Sequence, residues 1–130
     1  MVNNWSELDL QKDKENRANV WGGPMQSDPG PESRLQSKIE AYAKREGYPC
    51  LSIRQLVTKY RRISYLFKDW PDISIALPAA RTVWLELKGH KGVLKAGQRE
   101  LAMQLIALGH EWHQVRSYKR FLEIIEEPNQ

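Results

Sequence analysis

The sequence predicts an α/β domain in which a mixed β-sheet is flanked by α-helices. Residues 71–88 (PDISIALPAARTVWLELK) alternate apolar and other side chains on both sides of a short turn, which is typical of a β-hairpin. Apolar residues recur at helical spacing near residues 32–45, 95–108 and 118–125. Residues 111–116 (EWHQVR) lie between the last two helices and predict a further strand. A hairpin combined with a strand that lies between helices favours a mixed sheet.

The composition is typical of a single water-soluble domain. The chain has 130 residues, of which 28% are charged and 41% hydrophobic. No apolar run is long enough to span a membrane, and the N-terminal residues are too polar for a secretory signal. The single cysteine, Cys50, allows no internal disulfide, which fits a reducing compartment. We therefore expect an intracellular protein with no membrane partner and no organic cofactor.

Positive charge is concentrated after residue 32. Residues 1–32 hold six acidic and three basic residues, whereas residues 33–130 hold ten acidic and seventeen basic residues, a net charge of +7. A body of this charge attracts a polyanion such as nucleic acid. Residues 1–30 lack sustained periodicity and are rich in Asn, Asp, Gly and Pro. We predict a loosely ordered arm there and the folded domain over residues 31–130.

The first predicted helix covers residues 32–45. Pro31 suits its first turn and Gly47 ends it. Its apolar stripe consists of Leu35, Ile39, Tyr42 and Ala43. Glu32 lies about 35° from the centre of this stripe, so we predict that it faces the interior. The alternative is that this carboxylate only stabilises the positive end of the helix dipole.

Residues 48–65 mix apolar and basic side chains, and their pattern fits either a short helix or a strand. Tyr60 and Tyr65 interleave with the basic residues, a composition suited to contact with a phosphate backbone. The alternative is a solvated basic face with the aromatic rings in the core. If the segment does bind nucleic acid, Arg62 and the nearby Lys68 are the best candidates for the contacts.

In the predicted hairpin, Asp72 opens the first strand, residues 78–81 form the turn and residues 82–88 form the second strand. Side chains on a strand change face at every residue, so Glu86 and Lys88 share one face. Asp72 and Glu86 offer the hard oxygen ligands that Mg²⁺ prefers, and Lys88 would orient or polarise an activated water. A charge cluster that only holds the sheet together is disfavoured, because burying isolated charges is costly.

A basic loop and two helices follow the hairpin. Residues 89–92 (GHKG) form the loop, and the helix over residues 95–108 ends at Gly109. Gln98 projects from the same side of this helix as its apolar stripe. Ser117 is the predicted N-cap of the last helix.

Several of these segments together carry a resemblance to a known family. The chain contains Pro71-Asp72 and, after thirteen residues, Glu86-Leu87-Lys88. This arrangement resembles the PD-(D/E)xK signature of metal-dependent nucleases. Over residues 31–125 the flanking residues are similar to the VRR-NUC branch of that superfamily. The residues that match are Glu32 and Gln36 on the first helix, then Gly89, Gln98, Leu108-Gly109-His110 and Val115-Arg116-Ser117.

The resemblance implies a restriction-endonuclease-like fold with a site for one or two divalent cations, Mg²⁺ or Mn²⁺. The implied metal ligands are Asp72, Glu86, Glu32 and the backbone carbonyl of Leu87, and the implied catalytic residues are Asp72, Glu86, Lys88, Glu32 and Gln98. The lysine would either take a proton from the attacking water or only orient that water. The glutamine would support the lysine or the water.

The resemblance also implies an activity, a metal-dependent DNA endonuclease. No segment looks like a module that reads bases, which favours recognition of DNA structure over sequence. Stand-alone relatives are associated with phages and prophages and resemble dimeric junction resolvases, so we expect a homodimer that cleaves four-way (Holliday) junctions in the host cytoplasm. The alternatives are a flap or single-strand nuclease, an RNA-directed nuclease or a non-catalytic nucleic-acid-binding module. The candidate DNA contacts are Arg62, Lys68, His90, Lys91 and Lys95.

Overall fold

The computed structural model describes residues 27–53 and 68–127. Most of the predicted N-terminal arm and the basic, tyrosine-containing segment with Arg62 therefore lie outside the described residues. The elements in chain order are α1 (Glu32–Glu46), β1 (Cys50–Ser52), β2 (Ile73–Leu77), β3 (Arg81–Leu87), α2 (Ala96–Ala107), β4 (Glu111–Val115) and α3 (Tyr118–Glu126). In this part of the chain, no helix has the length and apolar character needed to cross a membrane.

The four strands form one mixed sheet in the order β1-β2-β3-β4. The strands β1, β2 and β3 pair antiparallel, and β4 pairs parallel with β3. In this register Ile73 lies opposite Leu85, and Leu87 lies opposite Val115. The beginning of β2 and the ends of β3 and β4 consequently meet at one edge of the sheet.

The two faces of the sheet pack against different helices. One face, with Ile73, Ile75, Val83, Leu85 and Leu87, packs against α1 and α3 and forms the larger core. On the other face, Trp84 and Trp112 pack against α2, which contributes buried Ala102 and Leu105. The predicted mixed sheet flanked by helices is therefore confirmed; among the described residues, two helices lie on one side of the sheet and one on the other.

The predicted element boundaries differ from the observed ones by about one residue, except in the segment whose type was left open. There the structure forms a strand, β1, whose residue Cys50 pairs with Ile75 of β2. In the hairpin, β3 begins at Arg81, which pairs with Leu77, so Arg81 belongs to the strand and not to the turn. Ala79 and Ala80 of the turn both adopt left-handed backbone conformations, with φ values of 62° and 60°.

Candidate active site

The predicted acidic residues of the hairpin meet at the sheet edge where β2 begins and β3 ends. Asp72 immediately precedes β2, and its Oδ2 accepts a hydrogen bond of 2.7 Å from the backbone N–H of Leu87. The antiparallel register brings these residues together although they are fifteen positions apart. Because Glu86 and Lys88 flank Leu87 in the chain, the same edge carries all three residues of the D…ExK pattern.

Glu86 is almost completely buried, with 2% of its surface exposed. Its Oε1 accepts a hydrogen bond of 2.7 Å from Nε2 of Gln98 and lies 3.6 Å from Nζ of Lys88. Burial, and next the negative charge of Asp72, raise the pKa of Glu86 to about 8, and the ammonium of Lys88 only partly opposes this shift. The charge of Glu32 also raises this pKa. Negative charge is thus crowded around one buried carboxyl group.

Gln98 connects the acidic and basic parts of this site from the first turn of α2. Its Oε1 accepts hydrogen bonds from Nζ of Lys88 at 3.0 Å and from the backbone N–H of Lys95 at 2.9 Å. Its Nε2 donates to Glu86, as described above. One amide group therefore orients the carboxyl of Glu86 and the ammonium of Lys88, and it also satisfies an N–H group at the beginning of α2.

Glu32 and Gln36 both lie on α1, but the structure places them in different surroundings. Glu32 is half-buried, and its Oε1 accepts a hydrogen bond of 3.2 Å from the backbone N–H of Gly89, next to Lys88. Gln36 instead donates to Oγ of Ser52 at 2.7 Å and to Glu40 at 2.9 Å. Glu32 therefore lies near the site, whereas Gln36 joins α1 to β1.

The described candidate nucleic-acid contacts are exposed basic residues, and most of them follow Lys88 directly. Lys68, His90, Lys91 and Lys95 are exposed, and the last three belong to the loop between β3 and α2. Nδ1 of His90 lies 3.0 Å from Oγ of Ser27, so the chain before α1 reaches this loop. The loop therefore presents positive charge beside the carboxyl cluster.

Sequence reasoning assigned no role to two residues that contact the site region. Arg116, directly after β4, is 5% exposed, and its guanidinium donates to the carbonyls of Gly89 and Gly92. Two signals in the sequence point to Arg116, its place at the end of a strand and the similarity of Val115-Arg116-Ser117 to the VRR-NUC branch, but neither indicates what its side chain contacts. Asp69 places its carboxylate against Gly97 in the first turn of α2. No pattern in the sequence predicts that contact.

The donor set suits a hard divalent cation by its chemistry. Asp72, Glu86 and Glu32 supply carboxylate oxygens, and the like charges around buried Glu86 are what a cation would neutralise. Over residues 27–53 and 68–127, however, no group of three or more His, Cys, Asp or Glu side chains is arranged as a metal site. The carboxylates of Asp72 and Glu86 are held instead by N–H donors of the protein. These residues suit a divalent cation by their type and charge, but their side chains are not arranged as a complete set of metal ligands.

The fold and the site together define a class, a mixed α/β domain with a carboxyl–lysine cluster at one edge of its sheet. Comparison of the chain with protein-family models, with curated proteins and with solved structures found no match.

Proposed function

We propose that this chain is a divalent-metal-dependent nuclease that hydrolyses phosphodiester bonds of DNA. The observation that carries the proposal is the buried pair of Glu86 and Lys88, joined through Gln98 at the sheet edge that also holds Asp72. Burying a carboxyl and an ammonium is costly, and an apolar pair of similar volume would stabilise the sheet as well or better. A catalytic use of these groups explains why they occupy this position.

The roles of the side chains follow from their contacts. Asp72, Glu86 and Glu32, with the carbonyl of Leu87, would hold the cation, which would activate water and neutralise charge on the phosphoryl oxygens. The Lys88 ammonium is held by Gln98 close to Glu86, where its positive charge would stabilise negative charge that develops on the phosphate.

The proposed substrate is branched DNA, four-way junctions above all. Its support is the exposed basic loop with His90, Lys91 and Lys95, which suits contact with phosphates without reading bases. The resemblance to the VRR-NUC branch favours an enzyme that works as a homodimer, in which two sites would nick symmetric strands.

The test is cleavage of a labelled four-way junction beside matched linear duplex, flap and single-stranded DNA and RNA, with Mg²⁺, Mn²⁺ or EDTA. Wild type should nick the junction only with a divalent cation. Glu86→Gln should reduce the rate by at least about a hundredfold, since removing a ligand should exceed the tenfold to hundredfold loss typical of groups that only support ligands. Glu100→Gln, an exposed carboxylate on α2, is the matched control and should cleave like wild type.

Any other result of this assay would point to a different function. Cleavage of flaps or single strands in place of junctions would retain the nuclease and exclude the resolvase. Preferential cleavage of RNA would retain the chemistry and change the substrate. Binding of nucleic acid without cleavage under all three metal conditions would leave a non-catalytic binding module and overturn the proposal.

A further inference from the structure

The turn that follows Lys88 is held in place by a side chain from a distant part of the chain. This basic turn, residues 89–92, is closed by a hydrogen bond of 3.1 Å from the N–H of Gly92 to the carbonyl of Gly89. Nη1 of Arg116 donates to the carbonyl of Gly89 at 2.7 Å, and Nη2 donates to the carbonyl of Gly92 at 2.6 Å. The two ends of the basic turn are therefore bound by the two arms of one planar guanidinium group.

The same turn determines the course of the Lys88 side chain. A Cβ placed on Gly92 would lie 3.2 Å from Cδ and 3.4 Å from Cβ of Lys88, so the aliphatic part of the lysine runs along Gly92. The backbone N–H of Lys88 donates to the carbonyl of Val115, the residue before Arg116, at 3.1 Å. A displacement of Gly92 would therefore displace the lysine stem that leads to the ammonium.

Two charged side chains act on the peptide groups of Gly89 from opposite ends of the chain. Glu32 accepts from the N–H of Gly89, while Arg116 donates to its carbonyl. The position of the turn is thus fixed relative to both α1 and β4.

Burying the guanidinium of Arg116 at this position costs free energy. Burial lowers the pKa of its guanidinium, and the charge of Glu32 opposes that shift. Its Nε is also buried and has no hydrogen-bond partner among the described residues. An apolar side chain could fill the space without these costs, so the two carbonyl contacts are the feature that requires an arginine.

We propose that Arg116 is a positioning residue of the nuclease, which holds the basic turn against the end of β4 so that the ammonium of Lys88 stays at Gln98 and Glu86. The inference rests on the proposed function and deepens it. Arg116 itself touches neither Glu86 nor Gln98 in the contacts described above, and it acts through the turn.

The test compares Arg116→Met with Arg81→Met. Arg81 is the matched control, because its largely buried guanidinium also binds backbone carbonyls, those of Ile124, Ile125 and Glu127, at the opposite end of β3. At a temperature where both variants are folded, Arg116→Met should lower kcat at least about tenfold, since small misplacements of a catalytic group carry losses up to about a hundredfold. Its KM should rise by a smaller factor than kcat falls, because the released turn keeps its exposed basic side chains, and Arg81→Met should retain the wild-type kcat.

A second measurement does not depend on activity. Hydrogen exchange of the Gly89 and Gly92 amides should accelerate at least about tenfold in Arg116→Met and stay unchanged in Arg81→Met, because only the first variant releases the turn. If Arg116→Met does not fold, Arg116→Lys replaces it. An ammonium lacks the planar fork, so the lysine variant should show the same two effects at smaller size.

The outcomes separate this inference from the proposed function. Equal kcat values for the Arg116 and Arg81 variants, or faster amide exchange with an unchanged kcat, would overturn the positioning role while the nuclease stands. A wild-type chain that cuts no nucleic acid would overturn the nuclease and the role of Arg116 in it. A selective fall in kcat together with faster exchange in the turn would support the inference.

Discussion

Among single residues, Gln98 allows an effect on the cleavage rate to be separated from an effect on the stability of the fold. Gln98→Met keeps the length of the side chain but removes the donor to Glu86 and the acceptor for Lys88. Cleavage should fall about tenfold to a hundredfold, the usual loss when a group that orients catalytic residues is removed. The free energy of unfolding should fall by about 1 kcal/mol, because the N–H of Lys95 loses its acceptor. Steady-state cleavage and urea unfolding measure the two effects.

Gln104→Met is the control for this substitution. Gln104 is exposed on the same helix, so its loss should leave both cleavage and stability within error of wild type. A Gln98→Met protein that is destabilised as expected but cleaves at the wild-type rate would show that Gln98 is only a helix cap.

The cluster of Arg81, Glu111 and His113 gives a prediction for the dependence of stability on pH. Arg81 donates to both carboxylate oxygens of Glu111, at 2.7 and 2.8 Å, and Nε2 of His113 lies 3.1 Å from Oε2 of Glu111. Burial alone would raise the pKa of Glu111, but the hydrogen bonds from Arg81 and His113 outweigh burial and lower it. Burial lowers the pKa of His113 although Glu111 opposes the shift.

Both pKa values are lower in the folded chain than in the unfolded chain, so the unfolded chain takes up more protons as the pH falls. The stability from His113 should be complete above its ordinary pKa of 6.5 and should decline below it, and that from Glu111 should decline below 4.5. Protonated His113 would also carry a hydrogen on Nδ1, which is buried and lacks a partner within the described part of the chain.

Urea unfolding between pH 8 and pH 5 tests this expectation. The stability of wild type relative to His113→Gln should fall as the pH falls, because only wild type carries the titrating imidazole. The raised pKa of Glu86 acts in the opposite direction over this range, but Glu86 is present in both proteins. Gln104→Met, which removes no titrating group, should differ from wild type by the same amount at every pH. Parallel curves for wild type and His113→Gln would refute the assignment to His113.

At the level of secondary-structure elements, Gly97 at the beginning of α2 lies against Asp69, and replacing the glycine tests this contact. Gly97→Ala should stabilise an isolated helix by about 1 kcal/mol. In this fold an alanine Cβ would overlap the carboxylate of Asp69. We therefore expect Gly97→Ala to lower the thermal unfolding midpoint, or at least to lose the gain that helix propensity predicts.

A double mutant isolates the cause. In an Asp69→Ala background the space above Gly97 is open, so Gly97→Ala should then raise the unfolding midpoint. The same sign and size of effect in both backgrounds would mean that Asp69 does not restrict this position.

At the scale of the whole molecule, the proposed resolvase requires two copies of the chain. Light scattering coupled to size exclusion should give twice the chain mass of 15.2 kDa at the concentration used for cleavage. Two sites related by a twofold axis match the symmetry of a four-way junction. A monomeric mass under those conditions, with cleavage intact, would exclude the dimeric resolvase and retain the nuclease.

Much of this architecture follows from local patterns, and the remainder depends on contacts that local patterns do not encode. The alternation on both sides of Pro78 predicted the hairpin, and the hairpin register is sufficient to bring Asp72 near Glu86. The three-residue strand that includes Cys50 is too short for alternation to distinguish strand from helix.

The contacts that sequence reasoning missed all join distant parts of the chain. Arg116 meets Gly89 only because β4 lies parallel to β3, and the choice of partner strand is a tertiary property. The position of Asp69 depends on how the chain before the sheet approaches α2. Patterns in the sequence identify side chains suited to a site, whereas the packing of the sheet and helices decides which backbone groups hold them.

The hairpin between β2 and β3 also has a practical consequence. Its exposed turn, residues 78–80, lies at the end of β3 away from Glu86, about 20 Å along a strand of this length. A fluorophore or a small inserted domain at this tip would be joined directly to the strand that holds Glu86, yet it would stay clear of the carboxyl cluster and the basic loop. The hairpin tip thus provides an attachment point for a label that would report the orientation of the proposed nucleic-acid substrate.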